Sequence, residues 1–153
     1  MLFFRLLLVF LIFKTAATGF FRKKLYRTMV KGNFTCKYRS SGTYKVSIKE
    51  GLVFRDKSQT LNRQFMHYKE PFLLDALTYS YTKPSMFIKI THTCNSPYGQ
   101  CFQIFVKSID PRFIKRMKQG QRKWRDPYNL GSHDLANLPA MFLNCPYKRR
   151  ASG

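Results

Sequence analysis

The chain has 153 residues, of which 28 are Lys or Arg and only 7 are Asp or Glu, giving a formal net charge of +21. Its hydrophobic content of 44%, with 15 Phe and 9 Tyr, excludes a disordered basic tail, because such tails lack the large apolar side chains that a core needs. The length also argues against a multidomain enzyme, since one domain takes roughly 100 to 200 residues. We expect one folded domain.

The N-terminal residues have the pattern of a secretory signal peptide. Arg5 precedes an unbroken apolar run over residues 6–13, and a stretch of small residues ends at Gly19. The alternative is a membrane anchor, but a spanning helix needs about 20 apolar residues and this run is too short. The sequence therefore predicts a signal peptide over 1–19, a secreted extracellular domain over 20–153 and no transmembrane segment.

In a secreted protein the cysteines are expected to form disulfides, because an even number of them in an oxidising compartment favours bridging. The four cysteines are Cys36, Cys94, Cys101 and Cys145. Two disulfides are expected, and three pairings are possible. A zinc site is the competing interpretation, but the chain has no Cys-x-x-Cys pair, and His67, His92 and His133 are not at the spacing of paired ligands. We expect neither a metal nor a cofactor.

The first strand signal covers residues 30–36. Val30, Gly32 and Phe34 alternate with polar residues, which predicts a half-buried strand. Asn33-Phe34-Thr35 is the only sequon for N-glycosylation. Because Asn33 falls on the polar side of this strand, where a glycan has room, we expect a glycoprotein modified there.

Five further strands follow in chain order. Tyr44, Val46 and Ile48 point one way in the second, with lysines between them, after a turn signal over residues 40–42. Weaker strands lie near 63–68 and 72–81. Residues 86–91 and 102–106 then alternate on either side of a loop signal at 95–99, which indicates a hairpin.

The hairpin suggests one disulfide pairing. Cys94 and Cys101 bracket its loop, so their sulfurs could come within bridging distance across an antiparallel pair. This favours Cys94 with Cys101, which leaves Cys36 with Cys145. Several short strands separated by turns, without a long helical period, predict an all-β antiparallel β-sandwich.

Several segments resemble the nematode transthyretin-like family. The matching segments are Lys83–Cys94, with its His92-x-Cys94 strand, then 101–104, 126–135, an opening strand at 30–36 and a closing Cys145. The resemblance covers about residues 28–145, with basic extensions at both ends, and marks a divergent member. A family turn of the type Thr-Asp-x-x-Gly-x-Phe keeps only Thr60 and Phe65. The resemblance implies a secreted, disulfide-containing transthyretin-like β-sandwich that binds extracellular ligands and has no family active site to transfer.

A secreted hydrolase is the alternative to a binding protein. Hydroxyisourate hydrolases share the transthyretin-like fold, but their His-Val-Leu-Asp strand and Tyr-Arg-Gly-Ser end are replaced here by Val30-Lys31-Gly32 and residues 147–150. Pancreatic-type ribonucleases need two catalytic histidines and a lysine, yet Lys37 lacks the Asn-Thr-Phe that follows it in those enzymes. On its apolar face, His92 fits a core or disulfide-shielding role. We therefore expect no enzyme.

The charge points instead to a binding surface. Seven cations without an acidic residue among them form the expected anion-binding patch: Arg112, Lys115, Arg116, Lys118, Arg122, Lys123 and Arg125. A helical turn from Arg112 to Gln119 would gather the first of these on one face, and a second cluster, at 22–24 and 148–150, could extend the patch. Clustered Lys and Arg attract phosphate or sulfate, so the expected partner is a glycosaminoglycan, an anionic lipid or another extracellular protein or glycan. Nucleic acid is disfavoured because the protein is exported.

Overall fold

A computed structural model describes residues 22–53, 58–96, 101–118 and 126–145, with the backbone only for 142–144. The signal peptide predicted over 1–19 lies outside the described residues. Within these ranges no helix combines the length and the apolar character needed to cross a membrane.

The described chain is all-β, as the sequence predicts. It contains nine strands: Lys24–Thr35 (β1), Thr43–Glu50 (β2), Gln59–His67 (β3), Pro71–Ser80 (β4), Met86–His92 (β5), Phe102–Ser108 (β6), Lys115–Arg116 (β7), Tyr128–Asp134 (β8) and Phe142–Asn144 (β9). The six strands predicted from the sequence match β1 to β6 in chain order. Their predicted ranges are 30–36, 44–48, 63–68, 72–81, 86–91 and 102–106.

The strands form two sheets. The first has the order β4-β1-β7, with β8 also paired to β1, and the second has the order β3-β2-β5-β6-β9. The expectation of a wholly antiparallel fold is wrong in one place, because β8 runs parallel to β1, with Val30 opposite Tyr128. Turn signals in a sequence identify strands joined by short loops, whereas β1 and β8 are distant along the chain, so no local pattern reports their pairing.

One hydrophobic core lies between the two sheets. Val30 and Phe34 of β1 and Val46 and Ile48 of β2 are buried in it, as the alternation predicts. The Phe34 ring meets the Tyr44 ring edge-on with the centroids 5.4 Å apart. Such contacts add to the gain from burying these rings and hold the sheets face to face.

Both disulfides form, but not with the pairing that the hairpin suggested. Cys36 is joined to Cys94 and Cys101 to Cys145. The β5–β6 ladder would place Cys94 opposite Cys101 if it continued, but β5 ends at His92. A turn follows, in which the Ser96 N–H donates to the Thr93 carbonyl at 3.0 Å, and Cys94 becomes buried beside Cys36.

The second disulfide follows from the register of β9. Phe102 lies opposite Asn144 in the β6–β9 pair, and the same register places Cys101 opposite Cys145, with the Cα atoms 4.1 Å apart. Cys36–Cys94 therefore joins the end of β1 to the end of β5 across the two sheets. Cys101–Cys145 fastens β9 to the edge of the second sheet.

The helical turn expected from Arg112 is absent. Pro111–Phe113 forms a single 3-10 turn, which the Asp110 carboxylate caps by accepting from the Arg112 N–H at 2.8 Å. Ile114 is then buried in the core, and the chain continues as β7. Burial of Ile114 directs the backbone along β1 and overrides the weak helical pattern.

Gly42 supports the turn into β2 and gives a first prediction. Its φ is +141°, and a Cβ there would lie 2.7 Å from Cε2 of Tyr68, whose own N–H donates to the Gly42 carbonyl. We expect Gly42→Ala to lower the free energy of unfolding by about 2 kcal/mol, because it adds backbone strain and a clash with a buried ring. Urea unfolding followed by circular dichroism measures the loss. Ser41→Ala, an exposed change in the same turn, should have almost no effect, and an equal loss there would contradict the prediction.

Candidate anion-binding groove

Two basic segments that are distant in the sequence meet where β1 pairs with β7. Tyr26 lies opposite Arg116 and Arg27 opposite Lys115. Just beyond this ladder, the Met117 N–H donates to the Leu25 carbonyl at 2.8 Å. The chain on the N-terminal side of β1 is thereby fixed beside the chain that leaves β7.

Between them the two segments and the end of β4 line a groove of about 570 Å³. Its lining residues are Arg22, Lys23, Lys24, Leu25, Tyr79, Arg116, Met117 and Lys118. Five of these eight carry a positive charge, none carries a negative one, and the five cations are exposed. We call this concavity the basic groove.

An aromatic residue near the end of β4, Tyr79, gives the basic groove an apolar wall. Tyr79 lies opposite Leu25 in the β1–β4 ladder and is 66% exposed. Two residues later, the Tyr81 ring lies under the Lys23 ammonium, 5.5 Å from its centroid. Cation–π contact of this kind positions the Lys23 head group without neutralising its charge.

The carboxylate of β4 does not neutralise the groove, because another cation holds it. Asp75 accepts from Arg27 Nε at 2.9 Å and from Arg27 Nη2 at 2.6 Å. The hydrogen bond to Asp75 also raises the pKa of Arg27 above its usual value. Both charges of this pair are matched, so the pair leaves the excess of cations in the groove unchanged.

The structure divides the patch expected from the sequence. Arg116 and Lys118 line the basic groove, and Lys115 is exposed next to it. Arg112 points elsewhere, because its guanidinium binds the Asp110 carboxylate through Nε at 3.1 Å and Nη2 at 2.8 Å. The three remaining patch residues, Arg122, Lys123 and Arg125, lie outside the described residues.

Of the second cluster, residues 22–24 line the basic groove with Arg116 and Lys118, whereas residues 148–150 lie outside the described residues. Residues 22–24 reach Arg116 through the β1–β7 pairing. No pattern in the sequence predicts this pairing, because β7 has only 2 residues and therefore no periodicity. The two charge clusters are therefore visible in the sequence, whereas Tyr79 and the concave shape between the clusters have no signal there.

The histidines are in three different environments. His92 is only 2% exposed, and its Nδ1 lies 3.3 Å from the Cys94 N–H, which donates to it. Burial lowers the pKa of His92 to about 4, so the ring is neutral at physiological pH. His133 Nε2 lies 2.6 Å from the Leu130 carbonyl oxygen, and His67 is exposed on β3. In the described ranges no three His, Cys, Asp or Glu residues are grouped to hold a metal ion.

The sequon lies in the interior of the first sheet. Asn33 faces Pro71 of β4 on one side and Ser132 of β8 on the other, at the point where the β1–β8 register shifts. Its side chain is half-buried, and its Oδ1 has no hydrogen-bond partner among the described residues. Glycosylation of Asn33 stays a prediction, and it requires the amide nitrogen to reach solvent from within the sheet.

Comparison with known proteins gave no match to a family model, to a curated protein or to a solved structure.

Proposed function

We propose that the protein is a secreted, non-enzymatic binding module with a transthyretin-like β-sandwich, and that its basic groove binds an anionic extracellular ligand, either a glycosaminoglycan or an anionic lipid. The observation that carries the proposal is the convergence of five cations from two separate chain segments on one groove whose described lining residues include no carboxylate. Repulsion between like charges makes such a cluster costly to maintain. A bound anion removes that cost.

The shape of the basic groove favours a linear sulfated polysaccharide over a membrane surface. Cations lie on both sides of a concavity, as a threaded chain requires, whereas a flat bilayer would meet only its rim. The guanidinium groups of Arg22 and Arg116 can each bind two sulfate oxygens at once. Tyr79 offers a ring against which a sugar can pack.

The environment of His92 supports a binding protein over a hydrolase. A general acid or base must reach the proton that it transfers. His92 is buried next to a disulfide, accepts a backbone hydrogen bond and has a pKa far below neutrality. These properties suit a core residue.

Two further observations support a transthyretin-like fold and an extracellular location. Two sheets with two disulfides agree with the architecture that the family resemblance implies. Disulfides persist mainly in oxidising compartments, which is consistent with an extracellular protein.

The second prediction tests the basic groove through the salt dependence of binding. We expect the groove variant, Lys23→Gln/Lys24→Gln/Arg116→Gln/Lys118→Gln, to elute from immobilised heparin at much lower salt than the parent protein. Because each cation that contacts a sulfate releases a counterion, the slope of log affinity against log salt should fall by about 3. Titration with a heparin oligosaccharide at several salt concentrations measures this slope.

The control variant removes the same charge elsewhere. Lys31, Lys37, Lys83 and Lys107 are exposed and do not line the basic groove, so their replacement by Gln matches the groove variant in net charge. We expect this variant to keep most of the parent slope. An equal loss of affinity in both variants would show that heparin binding depends on the total charge of the protein and not on the groove residues. Vesicles containing phosphatidylserine, assayed in parallel, distinguish a lipid ligand from the polysaccharide.

A further inference from the structure

The outer face of the second sheet carries a second group of cations, remote in sequence from the basic groove. Lys45 and Lys49 of β2 and Lys89 of β5 all lie on this face, because they alternate with core residues of their strands. Lys89 is directly opposite Ser47, so Lys45 and Lys49 are its two diagonal neighbours across the β2–β5 pair. Three ammonium groups therefore share one small area.

Lys89 lies at the centre of this group and is half-buried. Ser47 beneath it is only 2% exposed, and its hydroxyl donates to the Lys89 carbonyl at 3.2 Å. Burial, together with the charges of Lys49 and Lys45, lowers the pKa of Lys89. Its ammonium is thus held partly out of water, beside like charges.

Aromatic and aliphatic side chains surround the lysines. A cavity of about 350 Å³ is lined by Lys45 and Lys89, by Phe65, Phe102 and Ile104, and by three threonines, Tyr44 and His92. Phe65 is 67% exposed and Phe102 is 43% exposed, and the Lys45 ammonium lies 6.0 Å from the Phe65 ring centroid. The volume falls in the range of small-ligand sites, which is about 300 to 1,000 Å³.

These side chains reach the face through the register of three strand pairs. Phe65 is opposite Lys45, and Ile104 is opposite Thr91, which itself faces Lys45 from β5. On β6, Ile104 and Val106 therefore face away from the core, whereas Phe105 packs against it. Ile104 is half-buried and Val106 is buried, so the exposed apolar area of this face comes mainly from Phe65 and Phe102.

We propose that this surface, the lysine–phenylalanine face (Lys45, Lys49, Lys89, Phe65 and Phe102), binds an anionic amphiphile, namely an apolar aliphatic body that ends in a carboxylate. The carboxylate is held by the Lys45 and Lys89 ammonium groups, and the apolar body covers the two phenylalanine rings and Ile104. The site shares no residue with the basic groove, so it stands independently of the function proposed for that groove.

The composition of the face distinguishes this ligand from simpler ones. A free inorganic anion would match the lysines but leave the exposed rings in water. A sulfated sugar has no apolar body to cover them. An uncharged hydrocarbon would cover the rings but offer nothing to the lysine ammonium groups, so only a molecule with both parts matches the whole face.

The test is calorimetric titration of the intact protein with laurate below its micelle concentration. We expect saturable binding at one site, and at least about tenfold weaker binding to Lys89→Met, which keeps most of the apolar stem and removes the charge-assisted contact. Lys31→Met, a matched change at an exposed lysine of the first sheet, should bind laurate like the parent. Equal affinities of all three proteins would overturn the proposal.

A second variant and two further ligands complete the test. Phe65 is mostly exposed, so Phe65→Ala should fold normally, which circular dichroism checks, and should also weaken laurate binding. Dodecanol and sodium sulfate supply the apolar body and the anion separately, and both should bind at least tenfold more weakly than laurate. Dodecanol binding as tightly as laurate would refute the role of the lysines. Sulfate binding as tightly would refute the role of the rings.

Discussion

Replacing Cys36 and Cys94 by alanine will lower the free energy of unfolding by about 4 kcal/mol or more. The two cysteines are separated by 58 residues, and a loop of this length gives a chain-entropy term of about 4 kcal/mol. Both residues are also buried in the core between the sheets, so the alanines leave a small cavity that adds to the loss. Because the bond joins the ends of β1 and β5, its removal loosens one sheet from the other.

The matched control is the second disulfide. Cys101 and Cys145 are separated by 44 residues, so the entropic term is nearly the same, but the bond lies at the edge of the second sheet and Cys145 is exposed. Cys101→Ala/Cys145→Ala should therefore cost less, because no core cavity forms. Chemical unfolding of the parent and both variants gives the two differences. A smaller loss for the Cys36/Cys94 variant would contradict the role assigned to the core disulfide.

The parent protein will lose stability on acidification because of His92. The pKa of this ring is about 4 in the folded protein, against about 6.5 in an unfolded chain. Between these values the unfolded state binds a proton and the folded state does not. His92 therefore leaves the free energy of unfolding unchanged above about pH 6.5 and lowers it progressively as the pH falls to about 4. The expected loss is on the order of 3 kcal/mol.

His92→Asn isolates this effect. The asparagine Oδ1 can accept the Cys94 N–H in place of Nδ1, while the side chain cannot take up a proton. Any difference in stability between the variant and the parent at high pH is a constant offset, and the variant's curve of stability against pH should lack the loss between about pH 6.5 and 4. Unfolding by urea across that range measures both curves. Parallel curves for parent and variant would show that His92 does not titrate in this way.

Much of the fold can be predicted from the sequence because its strands alternate clearly. The core faces of β1, β2 and β5 are visible in the sequence, since one side of each of these strands is buried. They are marked by Val30 and Phe34, by the alternation from Tyr44 to Ile48, and by Ile88 and Ile90. The β5–β6 hairpin follows from its turn signal. These features depend on neighbours along the chain.

The features that depend on distant partners could not be predicted. The parallel β1–β8 pair and the register of β9 have no local signal, and this register decides that Cys101 meets Cys145 instead of Cys94. The candidate sites have the same origin. Charge runs showed where cations are abundant, but only the β1–β7 pairing brings residues 22–24 to Arg116, and only the β2–β5 register brings Lys45 and Lys49 to Lys89.

Lysine footprinting shows directly whether an anionic ligand binds in the basic groove. The protein is acetylated briefly with and without a heparin oligosaccharide, and the modified lysines are quantified by mass spectrometry. We predict strong protection of Lys23, Lys24 and Lys118, and none at Lys31, Lys37 or Lys83. Equal protection of both sets, or protection of the second set alone, would contradict the proposed groove.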